Sequence, residues 1–435
     1  MSHALTRRAL RHRPIQGIRR TSVRAVIALF LCSTPQVVSA QTEADFEKPP
    51  VLNVTDLIAP KLLQGKGFRV EEKVPTDGVM GTYTLRADKE TFGEDAGTYQ
   101  VRSREMAELR LSEVPAIIKL NETSKVGTFA KSMATTAVQP LESAGNMVLH
   151  PVDTVAGMPS GVGRFFDRVG SGVGRMWDSE PTPGTGGEEG GVVDATRDVL
   201  GYEQVRRELA KKLSVDPYTT NKVLTKKLDE IATTAFRAHV GVNTAISVFV
   251  PASIILTGVR TMDNMVWDTP RGDLIVRVEN KLQELKVSPT QRSMFLHNPA
   301  LPLSLQVAIV ENLGRLTNVS GRSELVALAG TVATESQARF LATSIRMLAE
   351  YHEKRKPLTD IGARGPVIAR DQDGGLIVPT PVDYLSWTER VARFTTQPAF
   401  LEVPQRTILL AGLMSPRAKK EFVANGWTIQ EGKEP

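Results

Sequence analysis

Hydrophobic and polar residues alternate along the chain in ways that predict different elements in different regions. Near the N-terminus, the runs 68–74, 82–85 and 98–103 have strand-like composition and are separated by turn residues. They predict a small antiparallel meander. Residues 104–120 come next and carry apolar side chains at helical spacing, so they predict a helix.

The middle of the chain, from residue 196 to residue 355, has mostly helical periodicity. Leu224, Leu228 and Ile231 mark one apolar face, and Ser288-Pro289 is a typical helix start. The sequence therefore predicts a helical domain.

The last seventy residues predict mixed structure. Strand-like runs at 367–370 and 376–378 flank the turn 371–375, and Thr380-Pro381 predicts a helix that continues through Phe394. Residues 407–430 then predict a strand, a helix that begins at Ser415-Pro416 and stops at Gly426, and a second strand.

These patterns predict an α+β fold that is mainly α-helical. We expect a signal peptide at 1–40 and a small β-containing domain at 41–122. A glycine-rich amphipathic helical segment at 123–180 and a flexible linker at 181–194 follow the β-containing domain. A helical domain at 195–360 and a C-terminal α+β unit at 361–435 complete the prediction.

The glycine-rich segment departs most from an ordinary globular pattern. Between residues 148 and 177, apolar side chains recur at seven-residue intervals, but six glycines interrupt the stretch. Each glycine disfavours an isolated helix by about 1 kcal/mol relative to alanine, so the segment needs a lipid surface or a packed partner to become ordered. The residues expected to make that contact are Val155, Val162, Phe165, Phe166, Val169, Val173, Met176 and Trp177.

Two alternatives stay open for the apolar stretches. The glycine-rich segment could be a flexible strip packed on the N-terminal domain. Residues 240–259 carry no charge and are long enough to span a membrane, but Asn243, Thr244 and Pro251 favour a buried strand–helix pair instead.

The first forty residues have the three parts of a secretory signal peptide. Seven arginines without an acid precede an apolar run, and Val38-Ser39-Ala40 predicts cleavage before Gln41. Arg19-Arg20 leaves both the general secretory route and the twin-arginine route open. We therefore expect a periplasmic or secreted protein.

Charge and cysteine content exclude several kinds of site once the signal peptide is set apart. Without its seven arginines the chain keeps 47 basic residues against 48 acidic ones, so composition gives no sign of a nucleic-acid-binding protein. Cys32 is the one cysteine and lies in the signal peptide, which excludes cysteine-ligated metal and thiol catalysis from the mature protein. No histidine spacing typical of a metal site is present, and no nucleotide loop is recognised, so we expect no cofactor.

One cluster of polar and aromatic residues predicts a weak cleft. Asp383, Tyr384, Trp387 and Glu389 fall close together on the predicted helix after Thr380, and acids beside aromatic rings can line a sugar or peptide cleft. Half-buried core is the more frequent role of such aromatics.

The sequence favours a non-catalytic envelope protein over an enzyme. We expect it to bind a membrane surface or an envelope protein through residues 148–177, in an unspecified oligomeric state. The alternative is a periplasmic hydrolase whose cleft lies between the helical and C-terminal domains and uses Asp383 and Glu389.

Overall fold

The computed structural model describes residues 46–125, 192–237, 260–363 and 365–431. Its N-terminal part contains an antiparallel sheet followed by one long helix. The elements are β1 (Val51–Asn53), β2 (Gln64–Gly65), β3 (Phe68–Val70), β4 (Lys73–Pro75), β5 (Thr82–Ala87), α1 (Lys89–Phe92), β6 (Gly97–Arg102) and α2 (Arg104–Lys125).

The predicted meander is present as the four-stranded antiparallel sheet β2-β3-β5-β6, and β1 pairs separately with β4. Strand β5 shows why the sheet forms, because Tyr83 and Leu85 point to the buried face and alternate with more exposed neighbours. The run predicted as one strand at 68–74 is divided between β3 and β4, which belong to different pairings.

The middle region is helical, as the periodicity predicts. Ser288 forms a capping box with Gln291, and Thr334 is the N-cap of the helix Glu335–Lys354. The helices are α3 (Val192–Leu213), α4 (Lys222–Arg237), α5 (Arg260–Asp268), α6 (Arg271–Glu284), α7 (Pro289–Leu296), α8 (Leu303–Arg315), α9 (Arg322–Ala329) and α10 (Glu335–Lys354).

The C-terminal part is a mixed five-stranded sheet with helices packed against it. Its elements are β7 (Leu358–Ala363), β8 (Val367–Asp371), β9 (Leu376–Thr380), β10 (Tyr384–Leu385), α11 (Glu389–Thr395), α12 (Pro398–Leu401), β11 (Arg406–Leu410), β12 (Leu413–Met414), α13 (Pro416–Ala424) and β13 (Trp427–Glu431). The strand order is β13-β11-β9-β8-β7, in which β13, β11 and β9 are parallel and β9, β8 and β7 are antiparallel.

The largest apolar core joins this sheet to the helices α6 to α10. Most side chains of α8 and α10 are buried. Ile309, Leu341 and Ile345 are fully buried between these two helices and their neighbours. Burial of this area is the main force that holds the helical and sheet layers together. The fold is α+β and mainly helical, as predicted.

One predicted element is wrong. Thr380-Pro381 does not begin a helix through Phe394, because the chain continues into strand β10 and the next helix starts only after Thr388, its N-cap. The reason is tertiary pairing. The backbone N–H groups of Asp383 and Ser386 donate to the carbonyls of Val79 and Gly78 and so are unavailable for helical bonds.

Candidate functional site

The eight residues predicted to contact a membrane or a partner lie outside the described residues. The same holds for the signal peptide, for the linker up to Gly191 and for residues 240–259. What the structure does give is the position of the helix ends from which these stretches continue.

Helices α3 and α4 pack side by side and run in opposite directions. In the middle of α3, Gly201 has no side chain, and a Cβ there would lie 2.6 Å from the ring of Phe236 near the end of α4. Further along α3, the guanidinium Nε of Arg206 donates to the carboxylate of Asp229, which lies earlier in α4, at 2.6 Å. The middle of α3 therefore lies beside the end of α4, and the first nine residues of α3 extend past that end.

Helix α2 runs parallel to α4. Glu113, in the middle of α2, accepts a hydrogen bond from Asn221, which immediately precedes α4. The apolar residues that follow in each helix share one core, represented by Ile117 and Leu120 in α2 and by Leu228 in α4. The end of α2, the start of α3 and the end of α4 therefore lie at the same end of this group of three helices. We call this the open end of the three-helix group.

The opposite end of the group is held by a buried cluster of charged side chains. Arg110 on α2 donates to Glu113 at 3.0 Å and to Glu335 on α10 at 2.6 Å, and Arg339 donates to Glu335 at 2.9 Å. The side chains of these four residues are at most 4% exposed. Two cations and two anions thus balance one another away from water.

The cluster is completed by polar groups from the turn before α4. Thr219 and Asn221 donate to Glu113 at 2.6 and 2.8 Å, and Thr220 donates to Glu335. Burial raises the pKa of Glu335, but the guanidinium groups of Arg110 and Arg339 outweigh burial and bring that pKa to about 2. Glu335 is therefore ionised at neutral pH, and the cluster fixes how α2 and α10 meet the turn.

A third acid, Asp216, lies beside this cluster without a cationic partner in hydrogen-bond contact. Its carboxylate accepts from the hydroxyl of Ser304 and, at 2.7 Å, from the N–H of Tyr218. Burial raises its pKa to about 6 despite these hydrogen bonds. Protonation of Asp216 is therefore easier in the folded chain than in the unfolded one.

This shift predicts a pH-dependent effect of Asp216→Asn. A raised pKa stabilises the folded state below pH about 4, and that contribution is lost as the pH rises through about 6. The asparagine amide can accept from the N–H of Tyr218 and donate to the hydroxyl oxygen of Ser304, and it does not ionise. The free energy of unfolding of the variant should therefore exceed that of the wild type by about 1–2 kcal/mol at pH 7. Urea unfolding at pH 4, 5, 6 and 7 measures the difference. A difference that is equal at every pH would contradict this origin.

The predicted cleft residues are brought together only in part. Asp383 is 5% exposed and accepts from the N–H of Gly81 at 2.8 Å, the N–H of Arg104 at 3.0 Å and the hydroxyl of Tyr83 at 3.3 Å. Burial raises the pKa of Asp383 to about 6, and the N–H groups of Arg104 and Gly81 limit that rise. This carboxylate joins the N-terminal sheet and the start of α2 to the C-terminal unit.

The other three cleft candidates lie in different environments. Tyr384 is half-buried in β10, and Trp387 is buried with its ring 6.0 Å from that of Phe422. Glu389 is at the surface, where its carboxylate, 61% exposed, accepts from Arg393. Asp383 and Glu389 are therefore not a pair of acids that face one substrate.

Sequence reasoning missed Glu47, which binds this part of the C-terminal unit. Its carboxylate accepts from the N–H of Trp387 at 2.6 Å and from the hydroxyl of Ser415 at 2.5 Å. Ser415-Pro416 was recognisable as a helix start, and Ser415 is the N-cap of α13. Glu47 stands in a stretch without periodicity, so no local signal marked it.

Within the described ranges, an open, shallow hollow of about 370 Å³ lies along the exposed face of α6, beside Asp273, Arg277 and Lys281. A cavity of about 20 Å³ lies under the N-terminal sheet among Phe68, Phe92, Tyr99 and Ile117, which is space for about one water molecule in apolar surroundings. The described residues contain no group of three or more acids, histidines or cysteines placed to bind a metal ion. None of the described helices has both the length and the apolar composition needed to cross a bilayer.

The open end of the three-helix group is the feature of this geometry from which the stretches predicted to make contacts continue. Comparison with known proteins gives no further indication, since no protein family model, no curated protein and no solved structure matches this chain.

Proposed function

We propose that this protein is exported and non-catalytic, and that it attaches to a membrane surface through the amphipathic stretch 148–177. The observation that carries the proposal is the position of the helix ends. The chain leaves the described fold at Lys125 and re-enters it at Val192, both at the open end of the three-helix group. Residues 126–191, which include the amphipathic stretch, are thus attached to the fold at one place.

A second sequence feature continues from the same end. Helix α4 ends at Arg237, and the charge-free stretch 240–259 follows it. The chain therefore continues towards both predicted apolar stretches from helix ends that lie at the same end of the three-helix group. Concentrating apolar sequence at one end suits a peripheral membrane protein whose remaining surface stays in water.

The composition of the amphipathic stretch suits shallow insertion. Phe165, Phe166 and Trp177 supply large apolar surfaces, and between residues 164 and 178 three arginines face two acids. Most of the membrane-binding free energy of such a segment comes from burial of apolar side chains, and anionic lipid adds only modestly to it. A protein partner with an apolar surface in the cell envelope would offer the same burial, and the experiment below separates the two.

The hydrolase alternative receives less support. It required Asp383 and Glu389 to act on one substrate, but Asp383 is buried among N–H and O–H donors and Glu389 is paired with Arg393 at the surface. No described residue contact favours a catalytic role for either acid.

Vesicle binding tests the proposal directly. The mature chain, from Gln41 onward, should sediment with lipid vesicles, and the variant F165S/F166S/W177S should bind at least about tenfold more weakly because it loses most of the insertable apolar area. A peptide covering 148–177 should be unfolded in buffer and gain helix on vesicles, as measured by circular dichroism.

The matched control removes exposed apolar side chains elsewhere. Val276, Leu401 and Val423 are 54%, 48% and 60% exposed, so V276S/L401S/V423S makes an equal number of changes on the described surface. This control should bind vesicles as the wild type does. If the wild-type protein does not bind vesicles but binds an envelope protein, and the variant F165S/F166S/W177S loses that binding, the contact is with a protein partner and not with a membrane surface.

A further inference from the structure

The three-helix group has an apolar core of its own. The residues buried between α2, α3 and α4, represented by Leu209 and Leu228, form a cluster separate from the largest core, which contains α6 to α10. The turn 214–221 connects α3 to α4 and lies between the two cores. There the ring N–H of Trp267 in α5 donates to the carbonyl of Val215 at 2.8 Å. The turn is therefore one of the places where the three-helix group meets the rest of the fold.

Polar contacts hold the side of the turn that faces α2, α8 and α10. Two threonines and an asparagine of the turn donate to Glu113 on α2 and to Glu335 on α10. Asp216 accepts from the hydroxyl of Ser304 on α8 and, at 2.7 Å, from the N–H of Tyr218. Polar groups that separate find new partners in water, so a junction of this kind can open locally more readily than an apolar core.

The charges buried at this junction do not balance when Asp216 is ionised. Counted with Asp216, the buried cluster holds three acids and two arginines. Arg110 and Arg339 are shared by Glu113 and Glu335, whereas both hydrogen bonds to Asp216 come from neutral donors. Asp216 is 2% exposed, so water does not solvate its charge. Burial accordingly raises the pKa of Asp216 to about 6.

The other arginines near the turn have partners elsewhere. Arg206 on α3 is paired with Asp229 on α4, and Arg207 donates to a backbone carbonyl at the end of α5. Further titratable groups close to this junction are Glu105 on α2, Glu203 on α3, Tyr218 in the turn and Arg271 on α6. Among the described residues, no cation therefore pairs with Asp216.

We propose that the turn 214–221 is a pH-responsive latch, which holds the three-helix group against α8 and α10 more tightly in acid than at neutral pH. A protonated Asp216 can donate to the hydroxyl oxygen of Ser304 and adds no charge to the cluster. When the turn is released, the carboxyl reaches water and recovers its ordinary pKa. The raised pKa therefore favours the latched form below pH about 4, and this contribution is lost as the pH rises through about 6. The proposal does not depend on membrane attachment.

Hydrogen exchange in the turn tests the latch. In the mature chain, mass spectrometry follows peptides that span residues 214–221, with correction for the pH dependence of chemical exchange. Their protection should be about tenfold lower at pH 7.5 than at pH 5, because ionisation of Asp216 favours the released form. The turn should also be less protected than α9 at each pH, since it opens without unfolding of the whole chain.

Two variants and a control identify the group responsible. Asp216→Asn has no charge to gain, so its protection should be equal at both pH values. Ser304→Ala removes a donor to the carboxylate, so the change in protection should persist but move to higher pH by about one unit. Glu389→Gln alters an exposed acid and should behave as the wild type does.

Three results would overturn the proposal. One is a turn whose protection does not depend on pH, and another is a pH dependence that persists unchanged in Asp216→Asn. The third is protection of the turn equal to that of α9 at each pH, which would mean that it opens only when the whole chain unfolds. If Asp216→Asn does not fold, the direction of the shift in Ser304→Ala decides.

Discussion

Replacing Glu335 with alanine should lower the free energy of unfolding by about 4 kcal/mol, because it removes the buried anion that two buried guanidinium groups share. Arg110 and Arg339 both donate to Glu335, and their side chains are at most 4% exposed. Neither cation can reach water without opening the contact between α2 and α10. Urea-induced unfolding followed by circular dichroism at pH 7 measures the loss.

Two matched variants identify the cause. Glu389→Ala removes an acid from an exposed pair with Arg393 and should change stability by less than about 1 kcal/mol. The double variant Glu335→Leu/Arg339→Leu removes one charge of each sign, leaves Arg110 paired with Glu113, and should lose less stability than Glu335→Ala alone. If Glu335→Ala is as mild as Glu389→Ala, the cluster does not hold the helices together as we infer.

The charged cluster also explains why the open end of the three-helix group can carry long insertions. The cluster lies where α2 and α10 meet the turn before α4, and Arg110 and Glu335 are 225 residues apart in sequence. It holds the group at the end opposite to the one from which residues 126–191 and 238–259 continue. The three helices α2, α3 and α4 are therefore held together without contacts from the inserted stretches.

Elements with strong local signals could be predicted from the sequence. The turn at 371–375 joins β8 and β9, and the start at Ser415-Pro416 followed by the stop at Gly426 encloses α13 between two parallel strands. In these places the turn and cap residues fix the backbone, so neighbours in sequence carry the information.

Features that depend on distant partners could not be predicted. Asp383 looks like a residue of an amphipathic helix, but its environment is made by Gly81 and Tyr83, about 300 residues away. Likewise, Glu47 binds Trp387 and Ser415 at separations of 340 and 368 residues. The amphipathic stretch 148–177 is the opposite case, since its pattern is visible in the sequence and its contacts remain a prediction.

Two glycine replacements should change the free energy of unfolding in opposite directions. One glycine follows the end of β11, and the other lies in α8. A Cβ at Gly412 would lie 1.7 Å from the carbonyl oxygen of Val382 and 2.8 Å from that of Asp383, so Gly412→Ala must move the backbone that leads into β10. We expect a loss of about 3 kcal/mol in unfolding free energy. In contrast, a Cβ at Gly314 in α8 meets no atom within 4 Å, so Gly314→Ala should gain about 1 kcal/mol from helix propensity.

Urea unfolding of the two variants and the wild type under one condition gives both signs in one experiment. Hydrogen exchange supplies a spatial check, because Gly412→Ala should speed exchange at Trp387 and at Ser415, whose N–H donates to the carbonyl of Leu385, while Gly314→Ala should leave both unchanged. A neutral Gly412→Ala would mean that the chain after β11 can move away from Val382 at little cost.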